Sequence, residues 1–120
     1  MSESPIFVKT YDLIQWLLPK TLKFSREYRF SLALPMQEHA FTVQRHLVRA
    51  AKAARKQDMA EHLREADVEL TLLRYKVRLS RDLKALDFAG YEHASRLIDE
   101  VGRLLGGWQK QQGVRGAQAS

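Results

Sequence analysis

Cysteine is absent from this 120-residue chain, which excludes disulfides, thiolate zinc sites and cysteine nucleophiles together. No apolar run approaches membrane-spanning length. The start, MSESPIFVK, has neither the basic head nor the apolar stretch of a secretory signal, so a cytoplasmic protein is expected. The chain has no glycine-rich phosphate loop, no nucleophile elbow and no HExxH pair, which leaves catalysis without a visible carrier. Histidine is scarce, and three of the four histidines follow a glutamate directly, at Glu38-His39, Glu61-His62 and Glu92-His93. Carboxylate-bridged metal pairs in helical bundles use Glu-x-x-His instead, so that both side chains project inward together. Asp58 and His62 stand four apart on one helical face, beside a turn, and read as a surface pair. No metal and no other cofactor is expected.

What is present is positive charge and helical periodicity. Lys and Arg number 20 against 14 Asp and Glu, a net +6 with a pI near 9.8, a balance that favours acidic partners such as nucleic acid. The length suits one domain. Apolar residues recur at helical steps from about Phe7 to Leu22, where Leu13, Ile14, Trp16, Leu17 and Leu18 form a broad face and Pro19 predicts a kink or break. A connection, FSREYRF (24–30), follows, with aromatics expected to tuck into the bundle end. The second helix starts between Ser31 and Pro35, with its seam on Met36, Ala40, Val43, Leu47, Ala50 or Ala51, and Ala54. Asp58 and Glu61 have the form of a capping box and predict that the third helix begins at once, the chain folding back at Gln57-Asp58.

That third helix carries two apolar seams. One is Leu63, Ala66, Leu70, Leu73 and Val77; the other is Val68, Leu72, Tyr75, Leu79, Leu83 and Leu86. Two seams exceed what one antiparallel neighbour needs, so one serves the bundle and part of the other is available to a second subunit, unless the bundle itself needs the wide stripe. Asp87 predicts the cap of a fourth helix, from about Phe88 to Gly107, with Ala94, Leu97, Ile98, Val101, Leu104, Leu105 and Trp108 inward. Gly102 and Gly106, four apart, offer a close approach to another backbone, while Gly106-Gly107 reads as a helix end. The expected architecture is an all-α, up-down-up-down four-helix bundle over residues 1–108, followed by a disordered tail, 109–120.

The long hairpin of helices two and three sorts the bases. Folding at residue 57 sets Arg45, Arg49, Lys52, Arg55 and Lys56 beside Asp58, Glu61, Glu65, Asp67 and Glu69, and predicts neutralisation there. At the other end Lys20, Lys23, Arg26, Arg29, Arg74, Lys76, Arg78, Arg81 and Lys84 meet only Glu27, Glu38, Asp82, Asp87 and Glu92. The candidate site for nucleic acid or a protein partner is therefore Lys20, Lys23, Arg26, Arg29, Arg74, Arg78, Arg81 and Lys84. Arg74, Arg78 and Arg81 share a helical stripe, and guanidinium forks suit phosphate oxygens. The alternative is a solvated charged face with local pairs such as Arg78-Asp82.

Three blocks carry a family likeness: Tyr11-Asp12-Leu13 with Trp16 and Leu18-Pro19-Lys20; FSREYRFSL (24–32); and YEHASRLIDEVGRLLGGW (91–108). They resemble Avd, the accessory variability proteins of diversity-generating retroelements, within a wider four-helix-bundle family that includes ribosomal intervening-sequence proteins. Tyr11, Trp16, Arg29, Tyr91, Arg96, Arg103 and Trp108 match the family blocks, and Pro35 departs from the pattern. The aromatics are expected in the core, while Arg96 and Arg103 have two open readings, holding the fold or holding an interface, by pairing with Glu100 or Asp99. The resemblance implies a homopentameric, basic barrel without catalytic activity. Such a barrel would bind the element's reverse transcriptase and its RNA or cDNA in mutagenic retrohoming. A helical protein-protein scaffold of the wider family, without a nucleic-acid role, is the alternative.

Overall fold

The computed structural model describes residues 3–113 and contains four helices: α1 Pro5–Leu22, α2 Leu34–Lys52, α3 Lys56–Asp82 and α4 Phe88–Gln111. No strand occurs among the described residues. The apolar stripes meet in one core in which Leu13, Leu17, Met36, Leu47, Leu63, Leu73, Ile98 and Leu105 are all buried, each contributing about 1.5–3 kcal/mol of transfer free energy. α1 and α3 sit diagonally; each packs against both α2 and α4. Short connections make neighbours antiparallel, which gives the expected up-down-up-down bundle.

Two buried threonines interrupt the α1 stripe without a polar penalty, because Thr10 Oγ1 donates to the Ile6 carbonyl (2.7 Å) and Thr21 Oγ1 to that of Leu17 (2.9 Å). Pro19 does not end the helix. It lies on the exposed face near the last turn, where the Gln15 carbonyl that loses its donor is free to bond water. Pro35 acts differently. Residues Arg29–Ala33 form a wide π turn, the Leu34 N–H reaching back to the Arg29 carbonyl, before α2 begins at Leu34. Proline 35 has no N–H to return to the Ser31 carbonyl, so the ladder passes through a looser turn.

The fold-back point departs from expectation. α2 ends at Lys52, and Ala53, Ala54 and Arg55 form the turn. His39 meets Glu69 (2.9 Å) and His46 meets His62 (3.1 Å), pairs that are both centred on residue 54. Asp58 is not a helix cap; it sits in the first turn of α3 and accepts both Nε and Nη2 of Arg55 (3.1 and 3.2 Å). The shift carries a consequence for charge. Bases 45–52 now lie alongside residues 56–63, whose only acids are Asp58 and Glu61, so the expected neutralisation is not realised: Arg55 alone of that group holds a carboxylate among the described residues.

At the far end of α3 the chain turns on Lys84, whose φ of 64° is left-handed. The Ala85 N–H bonds the Ser80 carbonyl (2.8 Å) and the Lys84 N–H that of Arg81 (2.9 Å), a Schellman closure with lysine where glycine is usual. Asp87 then caps α4 as expected, accepting the Gly90 N–H at 2.7 Å. α4 does not stop at Gly106-Gly107 but runs to Gln111, held by Trp108 edge-on to Phe7 and by a buried Gln109. Gly102 is used inside the chain, facing Leu70 and Arg74 of α3. Of the expected tail, residues 109–111 are helical, and 114–120 lie outside the described residues.

Candidate nucleic-acid interface

Of the eight site bases expected from sequence, Lys20, Lys23, Arg29, Arg74 and Arg78 line three grooves at the end of the bundle where α1 and α3 finish and α2 and α4 start, while Arg26, Arg81 and Lys84 line none of the three. Between α1 and α4 a groove of about 420 Å³ is lined by Asp12, Trp16, Lys20, Lys23 and His93. The Lys20 ammonium stands 5.7 Å from the centre of the Trp16 ring, and His93 stacks on the same indole at 4.9 Å, so the tryptophan holds a cation beside its face. Where α1 joins α2, Arg29 lines a second groove of about 320 Å³ with Leu22, Phe24 and Phe30. Between α3 and α4 a third, of about 340 Å³, is lined by Arg74, Tyr75, Arg78, Tyr91, Ser95 and Asp99.

The three-arginine stripe of α3 faces α4, not α2. Arg74 is ion-paired with Asp99 across the helix interface. Arg81 binds Asp82 (2.8 Å), the acid expected to pair with Arg78, and lies over the Tyr91 ring at 4.3 Å. The hydrogen bond to Asp82 raises the Arg81 pKa above its already high value and keeps it charged. Among the described residues Arg78 holds no carboxylate, and neither do Lys20, Lys23, Arg26, Arg29 and Lys84. These six bases are exposed, and they are the part of the expected set with charge left to give. The other family-block arginines also differ from expectation. Glu100 takes Lys9 and Asp99 takes Arg74. Arg96 reaches His93 at 3.4 Å, and Arg103 lines an apolar cavity of about 600 Å³ with Phe7, Met59, Leu104 and Trp108 at the opposite end.

Aromatics are the residues that charge counting missed. Trp16, Tyr91 and Trp108 are half-buried on the core, as are Phe24 and Tyr28 of the connection. Tyr11, expected inside, is 59% exposed, and Phe30 is 76% exposed. Tyr75 and Phe88, at 63% and 64%, are also at the surface. No group of three His, Asp or Glu side chains among the described residues is arranged to hold a metal ion. No helix among them is long and apolar enough to cross a membrane.

Grooves of this kind, bearing free bases and partly exposed rings, belong here to a basic, all-helical four-helix bundle. Residues 6–112 match the model of the family described as bAvd-like, and the chain belongs to that family, as an Avd-type protein. No curated protein matches the chain. The family is one of accessory, non-catalytic proteins, and membership implies association with a retroelement reverse transcriptase in general.

Proposed function

We propose that the chain is the accessory protein of a diversity-generating retroelement, binding the element's reverse transcriptase and its RNA or cDNA through the basic end of the bundle in support of mutagenic retrohoming. The observation that carries this, beyond family membership, is the set of six carboxylate-free bases around the three grooves. Their contacts to phosphate are independent of sequence and weaken steeply with salt, the affinity falling with a log-log slope of about −0.9 per neutralised phosphate on duplex DNA.

Assembly of several copies has its own support, the number five being what the family likeness implies. Val68, Leu72 and Leu79 lie on the outward face of α3, with Leu83 just past its end, and are 38–49% exposed, a stripe of about 22 Å at 1.5 Å per residue. A second copy covering it would bury apolar surface that the lone bundle leaves in water. Several copies would also bring their basic ends together, so that modest charge on one chain adds up.

The test is co-purification with the neighbouring reverse transcriptase, RNA binding across a salt series, and the mass of the particle. Tight binding indifferent to salt, or none at low salt, removes the electrostatic mechanism. Assembly through the α3 stripe without affinity for nucleic acid would favour the scaffold alternative instead.

A further inference from the structure

Exposed aromatic rings give the bundle nothing in packing, and the chain has only nine Tyr and Phe residues in all. Two of the most exposed, Tyr75 and Phe88, stand at the same place. Tyr75 lines the α3–α4 groove together with Tyr91, and Phe88 lies against Tyr91 with ring centres 6.3 Å apart and planes inclined at 34°. Tyr75 thus lies within the groove and Phe88 at its rim, against the Tyr91 that lines it. Over that inner ring sits the Arg81 guanidinium at 4.3 Å, so the Tyr91 face is already taken by a flat cation and the exposed rings are those of Tyr75 and Phe88.

Charge in the groove is settled for all but one arginine. Its acids are Asp99, which holds Arg74, and the adjacent Asp82, which holds Arg81. Arg78 remains, with five N–H donors and no carboxylate among the described residues. Ser95 adds a hydroxyl on the α4 wall. Free ring faces around one uncommitted guanidinium match a ligand that alternates flat apolar rings with anions.

We infer that this groove takes single-stranded nucleic acid, with bases stacked on Tyr75 and Phe88 and the backbone phosphate on Arg78. The inference rests on the nucleic-acid binding proposed above and narrows it to a strand form. In a duplex the bases already stack on one another and their faces are closed to a protein ring. In a single strand every base has a free π face, and stacking is tolerant of sequence. Arginine contacts to phosphate are open to both forms. The two kinds of side chain must therefore respond differently to the two kinds of ligand.

The experiment measures binding of the full chain to a mixed-sequence single-stranded RNA and to the duplex it forms with its complement, at one salt concentration. Tyr75→Ala and Phe88→Ala are the variants, with Arg78→Ala as the charge control. Both rings are largely solvent-exposed, so the variants fold, and helical content measured by circular dichroism verifies it. Each ring variant should weaken single-strand binding about tenfold and leave duplex binding within about twofold, while Arg78→Ala weakens both. Single-strand affinity unchanged in the ring variants, or lost equally for strand and duplex, overturns the inference while the broader nucleic-acid proposal stands. A change in particle mass in Tyr75→Ala with single-strand affinity retained also overturns it, assigning that ring to a contact between copies. Absence of binding to either RNA by the unaltered chain at low salt overturns both proposals.

Discussion

The two ends of the α2–α3 hairpin carry similar numbers of bases and differ in what surrounds them. Near the 53–55 turn, Arg45, Arg49 and Lys52 stand on exposed helix surface, with Phe41 and Val48 as exposed apolar residues on α2. At the other end, free lysines and arginines line grooves shared by two helices, with Trp16, Tyr75, Tyr91 and Phe30 among the lining residues. Neither end is neutralised by ion pairs, so charge does not distinguish them. What does is where the free bases sit: at one end they line the grooves themselves, whereas the cavity of about 600 Å³ at the other, with Phe7 and Trp108, takes Arg103 and none of Arg45, Arg49 and Lys52; a base inside a groove lets a ligand touch several groups at once.

The largest expected effect separates the ends directly. Reversing Lys20, Lys23 and Arg78 to Glu should lower RNA affinity by about 100-fold and flatten the salt slope by nearly one unit per lost phosphate contact. Reversing Arg45, Arg49 and Lys52 should cost under about tenfold, since no groove gathers their contacts. Titrations of the two triple variants over a salt series check this, and equal losses would dissolve the distinction.

Glycines provide a comparison in stability. A Cβ on Gly90, at the groove end, would come within 2.8 Å of Leu86 Cδ1 and 3.0 Å of the capping Asp87 Oδ1. Leu86 is buried, so overpacking and a strained cap outweigh the helix preference of alanine, and Gly90→Ala should lose about 1 kcal/mol. A Cβ on Gly107, at the opposite end, meets nothing within 4 Å, and Gly107→Ala should gain about 0.5–1 kcal/mol. Thermal unfolding reads both signs. Two shifts in the same direction would show that the groove end is less tightly fitted than its geometry indicates. A smaller effect at the same corner concerns Lys84, whose left-handed backbone costs about 1 kcal/mol relative to glycine. Lys84→Gly should raise the Tm by about 4 °C and weaken RNA binding slightly through the lost charge. An unaltered or lower Tm would mean that the lysine side chain stabilises the turn.

Legibility in the sequence followed the range of the interaction. Leu63, Ala66, Leu70, Leu73 and Val77 announce their seam by spacing, and all five are buried. Asp87 announces its cap because the bond it makes spans three residues. The turn at Ala53-Ala54-Arg55 was hidden, since alanine is the strongest helix former and no glycine or proline marks the stop. That shift of three residues misassigned the charge pairing of the whole hairpin. The Arg74–Asp99 pair lies 25 positions apart, and only the rotation of α3 about its own axis shows that its arginines face α4. The spacing of Tyr75 put it on an apolar seam, but whether that seam turned inward or outward was set by which neighbours the fold supplied.

The smallest effect belongs to the turn half of the hairpin and depends on pH. His46 and His62 approach Nδ1 to Nδ1 at 3.1 Å, with rings tilted by 31°. One Nδ1 must carry a proton and the other must accept it, so the contact survives one protonated ring and is lost when both are protonated. Burial chiefly, then the neighbouring His62, lowers the His46 pKa below 6.5; Arg49 adds to this, and Glu65 and Glu69 oppose it. The sign follows from proton counting. Between the lowered folded value and 6.5 the unfolded chain binds more protons than the folded one, so stability rises with pH across that window and is lost as pH falls through it. The Tm should therefore be lower at about pH 5 than at about pH 7.5, and His62→Gln, which removes one of the causes that lower the His46 pKa, should shrink the difference. Among the described residues the groove end has no such pair: its histidine, His93, packs against Trp16 with the rings tilted by 41°. A Tm that is flat over this range, or a slope insensitive to His62→Gln, would show that the hairpin pair does not carry the acid sensitivity.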